Sequence, residues 1–247
     1  MPTVLITGAS RGLGLAFTEA YAARGYRTIA AVRSPPQGRL AELIAEPSLR
    51  VEWAPLDLAD FQSIDALGLA LNGAPIDLLI SNAALTGGPL GVFGETDYLR
   101  FEQCLRVNTM APFKLAEVLA ENVAISDRKV MFFIGSRLGA HPFFGYSGYV
   151  ISKTGMNQVA KQVSLALEPR GVTVAACHPG WVGTEATAEH GVAPLTPAMS
   201  VDMLMAVIDR LTLADTGRFF DPDGSELPLV TQQLEQKFYG KPKGAVR

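Results

Sequence analysis

Short unbroken apolar runs alternate along this chain with longer stretches in which apolar residues return every three or four positions. The runs are Thr3 to Thr7 (T-V-L-I-T), Thr28 to Val32 (T-I-A-A-V), Val51 to Leu56, Ile76 to Ser81, Lys129 to Ile134 (K-V-M-F-F-I), Val172 to Cys177 and Arg218 to Phe220. Rich in β-branched residues and mostly without polar alternation, they suit strands buried on both faces of a parallel sheet. The intervening stretches predict helices. Leu13, Phe17, Ala20 and Tyr21 share one face of the first, which Gly25 ends. A polar helix spans Gly38 to Glu46, and another begins near Phe61, with Asp60 better placed than Asp57 to cap it. A long helix runs from about Asp97 to Asn122, one from Ser147 or Gly148 to Glu168, and a last one from about Met199 to Leu211.

Strict alternation of strand and helix predicts an α/β fold, a Rossmann-type doubly wound parallel sheet of about seven strands with helices on both faces. In such a sheet ligands gather beyond the carboxyl ends of the strands. The 247 residues suit a single domain, 1–247. Hydrophobic residues make up 48% and mean hydropathy is +0.20, apolar enough to suggest helical surface buried in a homodimer or homotetramer. Net charge is −3 with no basic stripe, which argues against nucleic acid as a partner. No apolar run reaches the roughly 18 residues of a membrane span, and the first residues carry no leader pattern, so a soluble, cytoplasmic protein is expected. Cys104 and Cys177 lack metal-ligand spacing and read as buried thiols. Three scattered histidines, His141, His178 and His190, make no metal site.

The first strand breaks into G-A-S-R-G-L-G at Gly8 to Gly14. Gly8, Gly12 and Gly14 let the backbone turn sharply, approach a ligand and pack against the sheet. The following helix aims free N–H groups and a partial positive charge over the loop, where a pyrophosphate fits against Ser10, Arg11 and Leu13. The spacing is G-x-x-x-G-x-G, so it departs from the commonest dinucleotide fingerprint. The end of the second strand faces the adenosine ribose in this architecture. No carboxylate lies between Gly25 and Leu40 to take a 2′-OH, whereas Arg33 stands at that end and Arg11 in the loop. Two guanidiniums can clamp a 2′-phosphate, which favours NADP(H) over NAD(H). Asp57 can meet the adenine amino group, and the small residues after Asn82, Ala83 and Ala84, let the chain pass beneath the adenosine.

Ser136 leaves the carboxyl end of the fifth strand, and Tyr149 follows thirteen residues later with Lys153 at i+4 on the same helix face. Carbonyl reduction by hydride needs a proton for the developing alkoxide. A Tyr hydroxyl can supply it, and a nearby Lys ammonium is expected to lower its pKa from about 10. Ser136 can hold the carbonyl oxygen where charge develops. Asn108, in the middle of the long helix, reads by itself as a satisfied polar core residue.

With T-G-A-S-R-G-L-G at Thr7 to Gly14, L-D-L at Leu56 to Leu58, N-A-A at Asn82 to Ala84, Asn108, Ser136, Tyr149 with Lys153, and H-P-G-W-V-G-T at His178 to Thr184, the chain resembles the short-chain dehydrogenase/reductase family along nearly its whole length. The stretch Gly217 to Pro228 resembles the C-factor-like carbonyl reductases within it. The resemblance implies a catalytic tetrad of Asn108, Ser136, Tyr149 and Lys153, with Asn108 helping to hold a water that links Lys153 to solvent. It also implies that Leu58 lies in the cofactor site, that Lys153 binds the nicotinamide ribose, and that Pro179, Gly180, Val182 and Thr184 line the carboxamide. One departure is Ala84 where the family has Gly, acceptable unless that position needs a positive φ. Residues 184–198 lack an apolar period and are expected to form a mobile lid. Leu85, Leu138, Phe143, Phe144, Tyr146 and Trp181 are candidate pocket walls, Trp181 being equally readable as core. Arg137, the one cation near them, is expected to face away, so the substrate is expected to be an uncharged, fairly hydrophobic ketone or aldehyde, or the matching alcohol. The rival readings are a cofactor-binding sensor without catalysis and a non-redox enzyme that keeps the nucleotide as scaffold.

Overall fold

The computed structural model describes residues 1–86, 93–140, 147–185, 187 and 191–228. In chain order the elements are β1 (Thr3–Thr7), α1 (Gly12–Ala23), β2 (Arg27–Val32), α2 (Gly38–Ala45), β3 (Val51–Pro55), α3 (Phe61–Leu71) and β4 (Leu78–Ser81). They continue with α4 (Tyr98–Leu105), α5 (Ala111–Ala124), β5 (Val130–Ile134), α6 (Ser147–Leu167), β6 (Thr173–Cys177), α7 (Pro197–Arg210), β7 (Phe219–Phe220) and β8 (Glu226–Leu227).

The strands form one sheet in the order β3-β2-β1-β4-β5-β6-β7-β8, parallel throughout except for β8, which pairs antiparallel with β7. The unbroken apolar runs are explained by the pleat, which sends successive side chains to opposite faces. On β1, Leu5 joins one core layer while Val4 and Ile6 join the other; on β5, Met131 and Phe133 part in the same way from Val130, Phe132 and Ile134. The first layer is covered by α3, α5 and α6 through Ile64, Leu115, Leu119, Met156 and Val163. The second is covered by α1, α2 and α7 through Phe17, Tyr21, Leu40, Leu43, Leu204 and Ile208. Each large side chain sealed in this way contributes about 1.5–3 kcal/mol.

Helix ends follow their capping residues. The Asp60 carboxylate accepts from the Gln62 N–H at 3.0 Å and starts α3, as its position predicts, whereas Asp57 accepts from the Ala59 N–H at 2.9 Å and closes the preceding turn. Thr196 caps α7 and Pro197 occupies its first turn, two residues earlier than the apolar period suggests.

Two expectations are corrected. The helix predicted from Asp97 to Asn122 is interrupted at Arg106–Met110 by a π-helical turn centred on Asn108, between α4 and α5. A three-to-four-residue apolar period does not distinguish that one-residue widening from a continuous helix. The sheet has eight strands instead of about seven, because the D-P-D-G-S stretch after Phe220 turns the chain back as the two-residue β8. Such a strand is too short to carry periodicity, although the Asp-Gly pair is a turn signal. Among the described residues no helix is long and apolar enough to cross a membrane.

Candidate active site

The order of strands reverses between β1 and β4, and the glycine turn lies at that switch point. Gly8 has φ +68°. A Cβ on Gly14 would sit 2.1 Å from the Gly8 carbonyl oxygen and 2.7 Å from Asn82 Nδ2. Only a residue without a side chain lets α1 dock there. Arg11, at the N-cap of α1, offers no side-chain cap, so the first-turn N–H groups, including those of Gly12 and Leu13, remain available to an anion. Ser10 is exposed beside them.

Asn82 is a strut as well as a lining residue. Its Nδ2 donates to the Thr7 carbonyl at 2.9 Å, while its own N–H and that of Ala83 both donate to Thr7 Oγ1 at 3.0 Å. The ends of β1 and β4 are thereby tied beneath the glycine turn. Ala84 is exposed and lacks a positive φ, so the methyl that replaces the family glycine costs no backbone strain. Leu58 is buried and its side chain belongs to the core. Arg33 is exposed at the end of β2 and makes no ion pair among the described residues. Arg11 instead pairs with Glu185 at 2.7 Å, across the groove.

Ser136 is buried at the end of β5, its hydroxyl accepting from the Leu138 N–H at 3.1 Å. Because α6 starts at Ser147, Tyr149 and Lys153 share one face of its first two turns, and Lys153 Nζ lies 5.9 Å from the Tyr149 ring centre. Burial pushes Tyr149 up to about 12, partly offset by its hydrogen bond with the Ser136 side chain. Burial also pulls Lys153 down to about 8. The direction is thus opposite to the lowering expected from the ammonium: burial dominates at Tyr149, and Lys153 Nζ donates to the Ile134 carbonyl at 2.9 Å.

Asn108 is 1% exposed. Its Oδ1 accepts from the Leu85 N–H at 2.7 Å, and its Nδ2 donates to the Leu85 carbonyl at 2.8 Å and to Ser152 Oγ at 2.9 Å. The side chain thus clamps the segment after β4 to α6 with both donors spent. Ser152, which the sequence reading passed over, completes the clamp by donating to the Tyr149 carbonyl at 2.7 Å.

Pro179 and Gly180 follow β6, and the Pro179 carbonyl accepts from Ser200 Oγ at 2.6 Å. Val182 is buried and bridges to Leu195, tying the chain just before the 184–198 segment expected to form a lid to a residue within it. Within it, Thr184 N–H donates to Thr187 Oγ1 at 2.9 Å. Residues 186 and 188–190, with His190 among them, lie outside the described residues, as do His141, Phe143, Phe144 and Tyr146. Of the remaining wall candidates, Leu85 and Leu138 are partly exposed, and Trp181 is 48% exposed, which excludes the core reading for it. Arg137 pairs with the buried carboxylate of Asp221 just after β7 and so brings no free positive charge to the site. His178 is neutral at pH 7, burial pulling it down to about 4. No cluster of metal-ligating side chains occurs among the described residues.

A glycine turn at the switch point of a doubly wound sheet, together with a Ser after β5 and a Tyr and Lys on the first turns of α6, is the arrangement of nucleotide-dependent oxidoreductases. Residues 2–193 match the family described as short chain dehydrogenase, and the chain belongs to that family, whose members use a nicotinamide cofactor. The chain is 29% identical over 157 residues to the C-signal protein of Myxococcus xanthus, covering 62% of this chain and 93% of that one. Among solved structures it superposes on carbonyl reductase Sniffer of D. melanogaster with a TM-score of 0.83 and 25% identity, covering 92% and 99% of the two chains. A short-chain dehydrogenase/reductase from Burkholderia multivorans with bound NADP gives a TM-score of 0.79 and 27% identity, covering 91% and 98%.

Proposed function

We propose that this protein is an NADP(H)-dependent carbonyl reductase acting on uncharged, fairly hydrophobic ketones or aldehydes and the corresponding alcohols. The observation that carries the reading is geometric: Ser136 at the end of β5 shares a hydrogen bond with the side chain of Tyr149, and Lys153 lies on the same face of α6 with Nζ 5.9 Å from the Tyr149 ring centre. The glycine cradle fits a dinucleotide: Gly8, Gly12, Gly14 and the N-terminus of α1 would hold the pyrophosphate, with Ser10, Leu13, Asp57, Leu58, Asn82, Ala83 and Ala84 along the adenosine side. Arg33 and Arg11 would take the 2′-phosphate, and the likeness to a family member with bound NADP supports that preference. Pro179, Gly180, Val182 and Thr184 would line the nicotinamide end.

When bound, the reduced nicotinamide supplies the hydride. Ser136 holds the carbonyl oxygen, and Tyr149 Oη delivers the proton that the forming alkoxide requires. Lys153, charged below about pH 8, binds the nicotinamide ribose and stabilises the phenolate left behind. With both side-chain donors committed to Leu85 and Ser152, Asn108 would act by holding the segment after β4 against α6, the helix that carries Tyr149 and Lys153. An apolar wall of Leu85, Leu138 and Trp181, together with an Arg137 neutralised by Asp221, supports the choice of an uncharged substrate. Exposed Leu99, Met110, Phe113, Ile151 and Leu165 on α4, the π-helical turn, α5 and α6 support assembly through these helices as a dimer or tetramer. The two buried free thiols suit the reducing cytoplasm.

The test is cofactor oxidation with NADPH and then NADH against aliphatic, cyclic and aryl carbonyls. Turnover that prefers NADPH is expected. Tight NADPH binding without turnover in either direction would overturn the reading.

A further inference from the structure

We propose that Asn157 is a positioning residue for Ser136. The inference rests on the reading of Ser136 as the group that holds the carbonyl oxygen. Asn157 lies one turn beyond Lys153 on α6, so a single helix face presents Tyr149, Lys153 and Asn157 in succession. Its Nδ2 donates to the Ser136 carbonyl at 3.2 Å, with Asn157 2% and Ser136 5% exposed. The Gly139 N–H donates to the same carbonyl at 3.0 Å and closes the short turn that follows. The Ser136 peptide is thus held from its own loop and from the helix that carries Tyr149.

The residue before Ser136 makes that contact possible. A Cβ on Gly135 would sit 2.6 Å from Asn157 Oδ1 and 2.9 Å from the Phe219 ring, so the amide lies against bare backbone between α6 and β7. Asn157 Oδ1 is itself buried with no partner among the described residues. A leucine would avoid burying that orphaned oxygen and would favour the helix. What an asparagine offers in exchange is the Nδ2 donor, whose one acceptor among the described residues is the Ser136 carbonyl. Losing it frees the peptide whose hydroxyl meets the substrate, and small displacements of a positioning group are felt steeply in turnover.

The experiment is a double-mutant cycle on carbonyl reduction with NADPH, comparing wild type, N157L, S136A and the double variant, alongside a pH series for N157D. N157L is expected to lower kcat about tenfold, with the KM for NADPH unchanged, and to have less than about a twofold effect in the S136A background. In N157D burial and the facing carbonyl raise the carboxyl above the usual carboxylate range, against the opposing pull of the Lys153 ammonium one turn earlier on the same face. Only its protonated form donates, so N157D turnover relative to wild type should rise as pH falls from about 8 to about 6. Wild-type turnover in S136A would defeat the reading of Ser136 itself. A weakened S136A with the N157L loss undiminished in the double variant would overturn the positioning role and leave that reading standing. If N157L does not fold, an N157D-to-wild-type ratio that is flat with pH overturns the proposal, and a ratio that rises toward low pH upholds it.

Discussion

Replacing Lys153 with methionine should make the cofactor-free protein more stable and inactive. Lys153 is 3% exposed, and its pKa falls from 10.5 to about 8 through burial. At about 1.4 kcal/mol per pKa unit, keeping that ammonium charged at pH 7 costs the fold about 3 kcal/mol. The bond from Nζ to the Ile134 carbonyl returns about 1.5 kcal/mol and is lost in the variant. Lys153→Met should therefore gain about 1–2 kcal/mol at pH 7, since the thioether fills the channel of the lysine stem. The advantage of the variant shrinks with pH in a defined window. Between about 8 and 10.5 the unfolded chain holds the lysine proton that the folded chain has released, so wild-type stability rises with pH relative to the variant. Urea unfolding of both proteins at about pH 7 and about pH 9.5 measures this, and other titrating groups cancel in the difference. A variant less stable than wild type at pH 7, or a difference that does not change with pH, would refute the reasoning.

Tyr149→Phe should reduce turnover by at least about a thousandfold while NADPH affinity, measured by fluorescence titration, changes less than about threefold. Arg33→Ala should weaken NADPH by about tenfold or more and NADH little, as read from the two dissociation constants; equal weakening would remove the 2′-phosphate argument. Gly14→Ala places its methyl against the Gly8 carbonyl and should cost about 3 kcal/mol or more in urea melts, with loss of NADPH binding. Asp60→Ala removes the cap of α3 and should cost about 1 kcal/mol without altering turnover.

The strand runs, the Asp60 cap, the glycine turn and the placement of Tyr149 and Lys153 on one helix face were all legible in the sequence, because each depends on local chain chemistry or on a fixed period. What escaped depends on contacts between distant segments. The π-helical turn at Asn108 answers to Leu85 and Ser152, far away along the chain, and no period records it. The pKa of Tyr149 follows from burial, which a pattern of residue types understates. The pairing of Arg137 with Asp221 crosses from the end of β5 to the residue after β7, and that of Arg11 with Glu185 from the first loop to the segment after β6. Asn157 was visible as the next residue on the Tyr149 and Lys153 face, yet nothing in its spacing indicated an acceptor on Ser136.

The two ends of the sheet bear on how copies of this chain can meet. At one end β3 carries Pro55, which has no N–H to offer an incoming strand, and Glu52, whose carboxylate pairs with Arg27 on β2. At the other, the two-residue β8 runs against the direction of the sheet and leaves only a brief rung exposed. Among the described residues neither end offers a long open strand on which another chain could extend the sheet, which disfavours open-ended, fibre-like growth. On the proposed reading of a dimer or tetramer, helical faces are left as the surfaces through which copies would meet.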